Sequence, residues 1–380
     1  MAIKRLESKG LEKATEIYAN REERVKELRS QGKKVIGYLC SFAPLEILWA
    51  AGLVPYRIMG RLKEPFSDAD RYIESCHCPM IRNCFGMAMR GEYDFLDGIV
   101  IPHACDTVHR IYGLWKYYLN PPYSCCVNAP HTTSSSSRRF FKRELIMFKE
   151  SLEQLIDHEI TNQSLNEAIT LYNENRDLVK RLYELRKENP PLLSGTEMMK
   201  VLIAGSSIPP EEFNALLKEV EKDAKERPEP PVKNRVRLLI YGSIIDDVTL
   251  FKLIEECGGN VVVDDTCIGT KSYWNNVEGN GDIFDALTTS YFEKFTCPRT
   301  YSNSRADRFQ YIVELARDFK ADGVICYVLR FCDPYILDVP DVRDWLAKAG
   351  LPMLHIEDDY SLASIESLRT RIQAFVETLL

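Results

Sequence analysis

Strand-like and helix-like segments alternate twice along the chain, and no other feature limits its fold so tightly. In the first run KKVIGYLC (33–40) has the apolar stretch of a buried strand. FAPLEILWAAG (42–52) reads as a helix closed by Gly52, and LVPYRIMG follows as a second strand. DFLDGIVIPHA (94–104) is a third strand, DTVHRIYGLWKYYL (106–119) a helix and YSCCVNAP (123–130) a fourth strand. The second run begins at VRLLIYGSI, a strand, and continues through DDVTLFKLIEECGG (246–259), a helix ending in glycine, and the strand NVVVDD. RADRFQYIVELARDFK, PDVRDWLAKAG and SLRTRIQAFVETLL are then helices, and DGVICYV and PMLHIEDD the strands between them. Short apolar strands separated by amphipathic helices mark a parallel sheet with helices on its faces.

The two runs echo each other. Asp97-Gly98-Ile99-Val100 matches Asp322-Gly323-Val324-Ile325, Cys105-Asp106 matches Cys332-Asp333, and Cys78-Pro79 matches Cys297-Pro298. Before the first run, residues 8–31 form a charged helix; between the runs, residues 137 to 227 are helical and strongly charged. KERPEPPVKN (225–234), with three prolines, then reads as a linker. The expectation is an α/β protein of two similar Rossmann- or flavodoxin-like parallel-sheet domains facing each other across a cleft. Residues 1–136 carry the N-terminal helix and first α/β domain, 137–230 the helical insert and linker, and 231–380 the second α/β domain.

Charge and composition remove several classes of function. A net charge of −7 argues against a dedicated nucleic-acid binder. No apolar run is long enough to span a bilayer, and MAIKRLESKG has no export-signal pattern, so no membrane association and a cytoplasmic location are expected. Twelve cysteines in a chain of 380 residues then need another account than disulfides. In a reducing compartment they pack in the core or bind metal.

CHCPMIRNC, residues 76 to 84, holds three of them. In open parallel sheets ligands collect beyond the carboxyl ends of the strands. Cys105 and Cys332 follow strands at that end, each before an aspartate suited to cap a helix. Cys78 precedes Pro79, a good first-turn residue for a helix over MIRNCFGMAM. A helix N-terminus favours thiolate over thiol, so Cys78, Cys105 and Cys332 suit an anionic metal–sulfur cluster. Structural zinc prefers paired C-x2-C spacing, which is absent, and His77 is better read as a loop residue than as a ligand. A cubane normally takes four cysteines; three from separate segments leave one iron open.

GYLCSFAPLEILWAAGLVPYRIMG, CPMIRNCFGMAMRGEYDFLDGIVIPHACDT, RFCDPY and RTRIQAFVETL together resemble the 2-hydroxyacyl-CoA dehydratase / benzoyl-CoA reductase family, of D-component type. The resemblance spans both α/β runs. It implies a cubane held by Cys78, Cys105 and Cys332, and single electrons received from an ATP-hydrolysing activator that carries its own 4Fe–4S cluster. Additional cysteines are most similar to the branch whose members carry a double cubane (8Fe–9S), with Cys126, Cys267 and Cys297 as the second set. Cys125 is equally available in place of Cys126. The resemblance thus points to a low-potential reductase acting on a small substrate, as a homodimer. The alternative is a heterodimeric radical dehydratase or benzoyl-CoA reductase subunit with one 4Fe–4S cubane. A closed electron carrier and a zinc-stabilised binding protein are the rivals from other classes.

Other residues carry less. Cys40 is assigned to packing near the cleft, Cys84, Cys257 and Cys326 to the core, and Cys76 is left open. His103, His109 and His131 flank the presumed cleft as candidate proton donors. Ser134 to Ser137 with Arg138 and Arg139 form either a phosphate site or a solvated loop. Asp264 and Asp265 either cap the next segment or approach the cluster. No GxGxxG follows a strand and no GxxxxGK[ST] occurs, so ATP belongs on a partner.

Overall fold

The computed structural model describes residues 9–278, 281–301, 305–361 and 365–380. Two four-stranded parallel sheets form its frame. The first contains β1 (Val35–Tyr38), β2 (Val54–Arg57), β3 (Gly98–Val100) and β4 (Ser124–Cys125). The second contains β5 (Val236–Gly242), β6 (Gly259–Asp265), β7 (Gly323–Leu329) and β8 (Met353–Asp358). Their orders are the same, β2-β1-β3-β4 and β6-β5-β7-β8, so the chain reverses its direction of travel between β1 and β3 and again between β5 and β7. Ligands gather at such switch points, outside the strands' carboxyl ends.

Strands β5, β6 and β7 are buried along their whole length. That explains why their sequences are continuous apolar runs: helices cover both faces, leaving no solvated side to alternate. The insert is four helices, Ser135–Ile156, Asn162–Glu184, Gly195–Gly205 and Pro210–Glu226. Helix Asn162–Glu184 fastens the halves together. Arg176 Nη2 donates to Glu46 Oε1 at 2.5 Å on the first-half side. Further along the same helix, Tyr183 Oη donates to Asp264 Oδ1 at 2.7 Å, at the end of β6. The N-terminal helical stretch is two helices, Lys9–Ala19 and Arg21–Ser30, broken at Asn20; Ser8, where a single helix was expected to begin, lies outside the described residues. Gly10 allows the first of these to touch the insert, since a Cβ there would stand 2.6 Å from Val220 N.

Asp246 joins the halves directly. It accepts from Gly60 N at 2.9 Å and from Tyr360 Oη at 3.0 Å, and it is buried. Burial raises its pKa to about 6, against the pull of the Gly60 N–H and Tyr360 hydroxyl. The folded state therefore holds a proton that the unfolded chain releases near pH 4. Stability from this group is complete below pH 4 and is lost as pH rises through 6, by about 3 kcal/mol. Asp246→Asn is expected to remove that slope. Urea unfolding of both proteins between pH 4 and 7.5 checks it; parallel curves would refute the assignment.

Candidate metal centre

Cysteines from both halves meet where the two sheets present their switch points. Cys40 follows β1, Cys105 follows β3, Cys267 follows β6 and Cys332 follows β7. Cys78 and Cys297 come from the loops between β2 and β3 and between β6 and β7. Each is near enough to another for ionisation of one thiol to oppose that of the next. Cys105 acts on Cys78 and on Cys40, Cys78 and Cys105 act on Cys332, Cys267 acts on Cys332 and Cys297, and Cys40 acts on Cys267 and Cys297. All six are free thiols. Direct bonds hold the segments together: Ser41 Oγ donates to the Cys267 carbonyl at 2.8 Å, and Ser272 Oγ donates to the same carbonyl at 2.7 Å.

Helix starts were expected to supply positive charge, with aspartates as caps. The structure instead puts the cysteines themselves at the N-cap: Cys78 before helix Pro79–Met89, Cys105 before Asp106–Tyr118 and Cys332 before Asp333–Ile336. Asp106 and Asp333 move into the first turn. Backbone N–H groups of Met80 and Ile81 favour ionised Cys78, and those of Thr107 and Val108 do the same for Cys105. Burial nevertheless dominates. It pushes Cys78 up to about 12 and Cys267 to about 11, and raises Cys40, Cys105, Cys297 and Cys332. Were these thiols ionised, so many negative charges in one place would need a compensating cation, and a thiophilic metal such as iron would supply it while displacing the protons. Among the described residues no three His, Cys, Asp or Glu side chains close on a point suited to one ion. That arrangement does not suit a single structural zinc ion.

Cys126 is not among the six. Its thiol lies 3.8 Å from His109 Nδ1 and 4.0 Å from Asn128 Oδ1, and the charges acting on it are those of Cys125 and Glu144. Strand β4 is the sheet edge, away from the switch point, and Cys125 ends it. Cys40, assigned to packing from sequence, lies instead among the other five thiols. Its φ of 65° is left-handed, which a non-glycine residue rarely adopts unless its surroundings enforce it. Its position after the central strand β1 was the available signal. Cys84 and Cys326 are core residues, Cys257 ends helix Thr249–Glu256, and Cys76 is exposed beside His77.

The three histidines pack ring against ring, His109 tilted over His103 and His131 edge-on to it. The rings of His103 and His109 have centroids 4.2 Å apart, and those of His103 and His131 5.5 Å. Burial, and then neighbouring positive charge, hold His103 and His131 below the usual imidazole range. The other open readings resolve into structure. Ser134 caps helix Ser135–Ile156 and Arg138 pairs with Glu293 at 2.6 Å, so neither is free for phosphate. Asp264 accepts from Tyr183 and Thr266, and Asp265 pairs with Lys271. A cavity of about 80 Å³, lined by Tyr38, Ser41, Arg57, Lys271, Ser272 and Phe295 among others, opens beside the Cys40 and Cys267 segments.

Known proteins resemble the chain over nearly its whole length. The family model for the 2-hydroxyglutaryl-CoA dehydratase D-component matches residues 40–379. The chain is 29% identical over 356 residues to the (R)-phenyllactyl-CoA dehydratase beta subunit of Clostridium sporogenes, covering 93% of this chain and 94% of that one. It is 28% identical over 354 residues to a subunit of the benzoyl-CoA reductase of Thauera aromatica, with 91% of each covered. With the (R)-2-hydroxyglutaryl-CoA dehydratase beta subunit of Acidaminococcus fermentans it shares 25% over 358 residues, covering 92% and 94%.

Proposed function

The chain belongs to the 2-hydroxyglutaryl-CoA dehydratase D-component family, and on that premise we propose that it is an iron–sulfur reductase. It takes single electrons from an ATP-hydrolysing 4Fe–4S activator and passes them to a small substrate. The observation that carries this reading is the gathering of six free thiols from both halves of the molecule. Cys78, Cys105 and Cys332 would hold one cubane. Cys267 and Cys297 with Cys40, in place of Cys126, would hold a second, together an 8Fe–9S double cubane. When bound, such a cluster stores low-potential electrons and leaves an iron open to substrate. The chain's own part is to bury it, surround it with helix N-termini and keep water out. Protons for the reduced substrate come from the clustered rings of His103, His109 and His131, the first two on the segments that flank Cys105. A homodimer suits a chain that carries both sets of ligands. Free thiols in such number suit the reducing cytoplasm as its place of action. Among the described residues no helix is long and apolar enough to cross a membrane.

Relatives named as dehydratase beta subunits favour a second reading: one cubane, a 2-hydroxyacyl-CoA substrate and a heterodimeric partner. Iron and acid-labile sulfide per chain, measured on strictly anaerobic protein expressed alone, separate the two. About eight irons are expected. About four would transfer the proposal to the dehydratase reading, and zinc without iron would refute both.

A further inference from the structure

Two buried guanidinium groups stand apart from the other buried cations. Arg57 is 4% exposed and Arg299 7%. Most of the others are matched by acids: Arg176 with Glu46, Lys271 with Asp265, Arg308 with Asp338 and Arg82 with Asp70. Arg237 has no ion pair, but its Nε and both terminal nitrogens donate to backbone carbonyls of Phe319, Glu188 and Arg186. Among the described residues, neither Arg57 nor Arg299 has a carboxylate within ion-pair distance. The Nε of each is buried without a hydrogen-bond partner; Arg186 and Arg308 share that feature but have the Asp264 and Asp338 carboxylates beside them. Taking a charge out of water is costly unless an opposite charge meets it. A fold that keeps two such charges beside one site is shaped for an anion.

Both reach the thiol group. Arg57 Nη2 donates to Ser41 Oγ at 3.3 Å, next to Cys40, and Ser41 in turn donates to the Cys267 carbonyl at 2.8 Å. Arg299 lies two residues after Cys297. It donates to the carbonyls of Ala129 at 2.7 Å and Pro130 at 2.8 Å, and more weakly to that of His103 at 3.4 Å, two residues before Cys105. Its guanidinium stands 5.0 Å from the centre of the Phe42 ring, two residues beyond Cys40. Arg57 thus favours ionised Cys40 and Cys267, and Arg299 favours ionised Cys40, Cys105 and Cys297.

We propose that Arg57 and Arg299 are the built-in counter-charge of the cluster. The inference rests on the cluster reading above. One electron leaves an external one-electron donor, which is oxidised, and the cluster gains one negative charge. In a medium of low dielectric constant a nearby fixed cation lowers the cost of that charge and raises the reduction potential. Both arginines act through the cluster's surroundings and are positioning residues.

The test is a redox titration of anaerobic holoprotein, with dithionite as reductant and electron paramagnetic resonance as readout, after iron counting. Arg57→Gln and Arg299→Gln are each expected to lower the reduction equilibrium constant of the higher-potential step at least about tenfold, or 59 mV for one electron. Arg57→Lys is expected to retain the wild-type value. Ser272→Asp, which leaves both arginines in place and brings a carboxylate beside Ser41, is expected to lower the potential in the same direction. Loss of iron in a glutamine variant with recovery in the lysine variant would also support the counter-charge. Full iron with unchanged potentials in both glutamine variants would overturn it, as would equal iron loss in the glutamine and lysine variants, which marks a purely structural role. Wild-type protein without a cluster would overturn the cluster reading itself, and this inference with it.

Discussion

Replacing Arg176 by methionine is expected to cost the fold about 3–5 kcal/mol, a large share of a domain's stability. Glu46, its partner, is wholly buried and receives two hydrogen bonds, from Arg176 at 2.5 Å and from Tyr291 Oη at 2.6 Å. Without Arg176 the carboxylate remains in the interior with one neutral donor. That uncompensated charge is what makes breaking such a pair so expensive, even though the intact pair adds little over an apolar replacement. The double variant Glu46→Leu with Arg176→Met is accordingly expected to regain most of the loss. Urea unfolding under anaerobic conditions checks both: the midpoint falls in the single variant and recovers in the double, with the slope unchanged. A loss below about 1 kcal/mol for Arg176→Met would mean that the pair is solvated.

The same pair shows what a sequence discloses and what it withholds. Glu46 is a visible anomaly, one acid in the apolar helix of FAPLEILWAAG. Its partner lies 130 residues away in the insert, and nothing local points there. Patterns with a short period are legible: the eight strands and the helical insert follow from apolar runs and turn residues, whereas the sheet order does not. Breaks and irregular backbone are not. No local pattern announces the break at Asn20, or the short helices Thr270–Tyr273 and Ile283–Thr288 that precede Cys297. Nor is it evident that Cys105 and Cys332 take the cap positions themselves, since cysteine is an uncommon cap and aspartate a good one. Arg57 offers no signal at all, being a single charge within a strand whose burial on all four residues only the packed structure reveals.

Cys40→Ser is expected to lower iron to about half of the wild-type content, while Cys126→Ser keeps all of it. Both residues follow a strand at its carboxyl end, so the strand pattern alone gives them equal standing. Sheet order separates them. In the order β2-β1-β3-β4, Cys40 leaves a central strand at the switch point and Cys126 leaves the edge. Cys40 therefore meets Cys267 and Cys297 from the other half, whereas Cys126 meets Cys125, Asn128 and His109. Serine keeps the size of the side chain but replaces a soft thiolate by a hydroxyl that binds iron poorly. Chain folding should be untouched in either variant, since a sulfur-for-oxygen exchange changes the side-chain volume little. Iron, acid-labile sulfide and the low-temperature resonance spectrum of the reduced protein read the result together. With one cubane left on Cys78, Cys105 and Cys332, the Cys40 variant should still take up an electron. Full iron in Cys40→Ser combined with loss in Cys126→Ser would reverse the assignment and require the β4 edge to swing towards the switch point when the cluster forms.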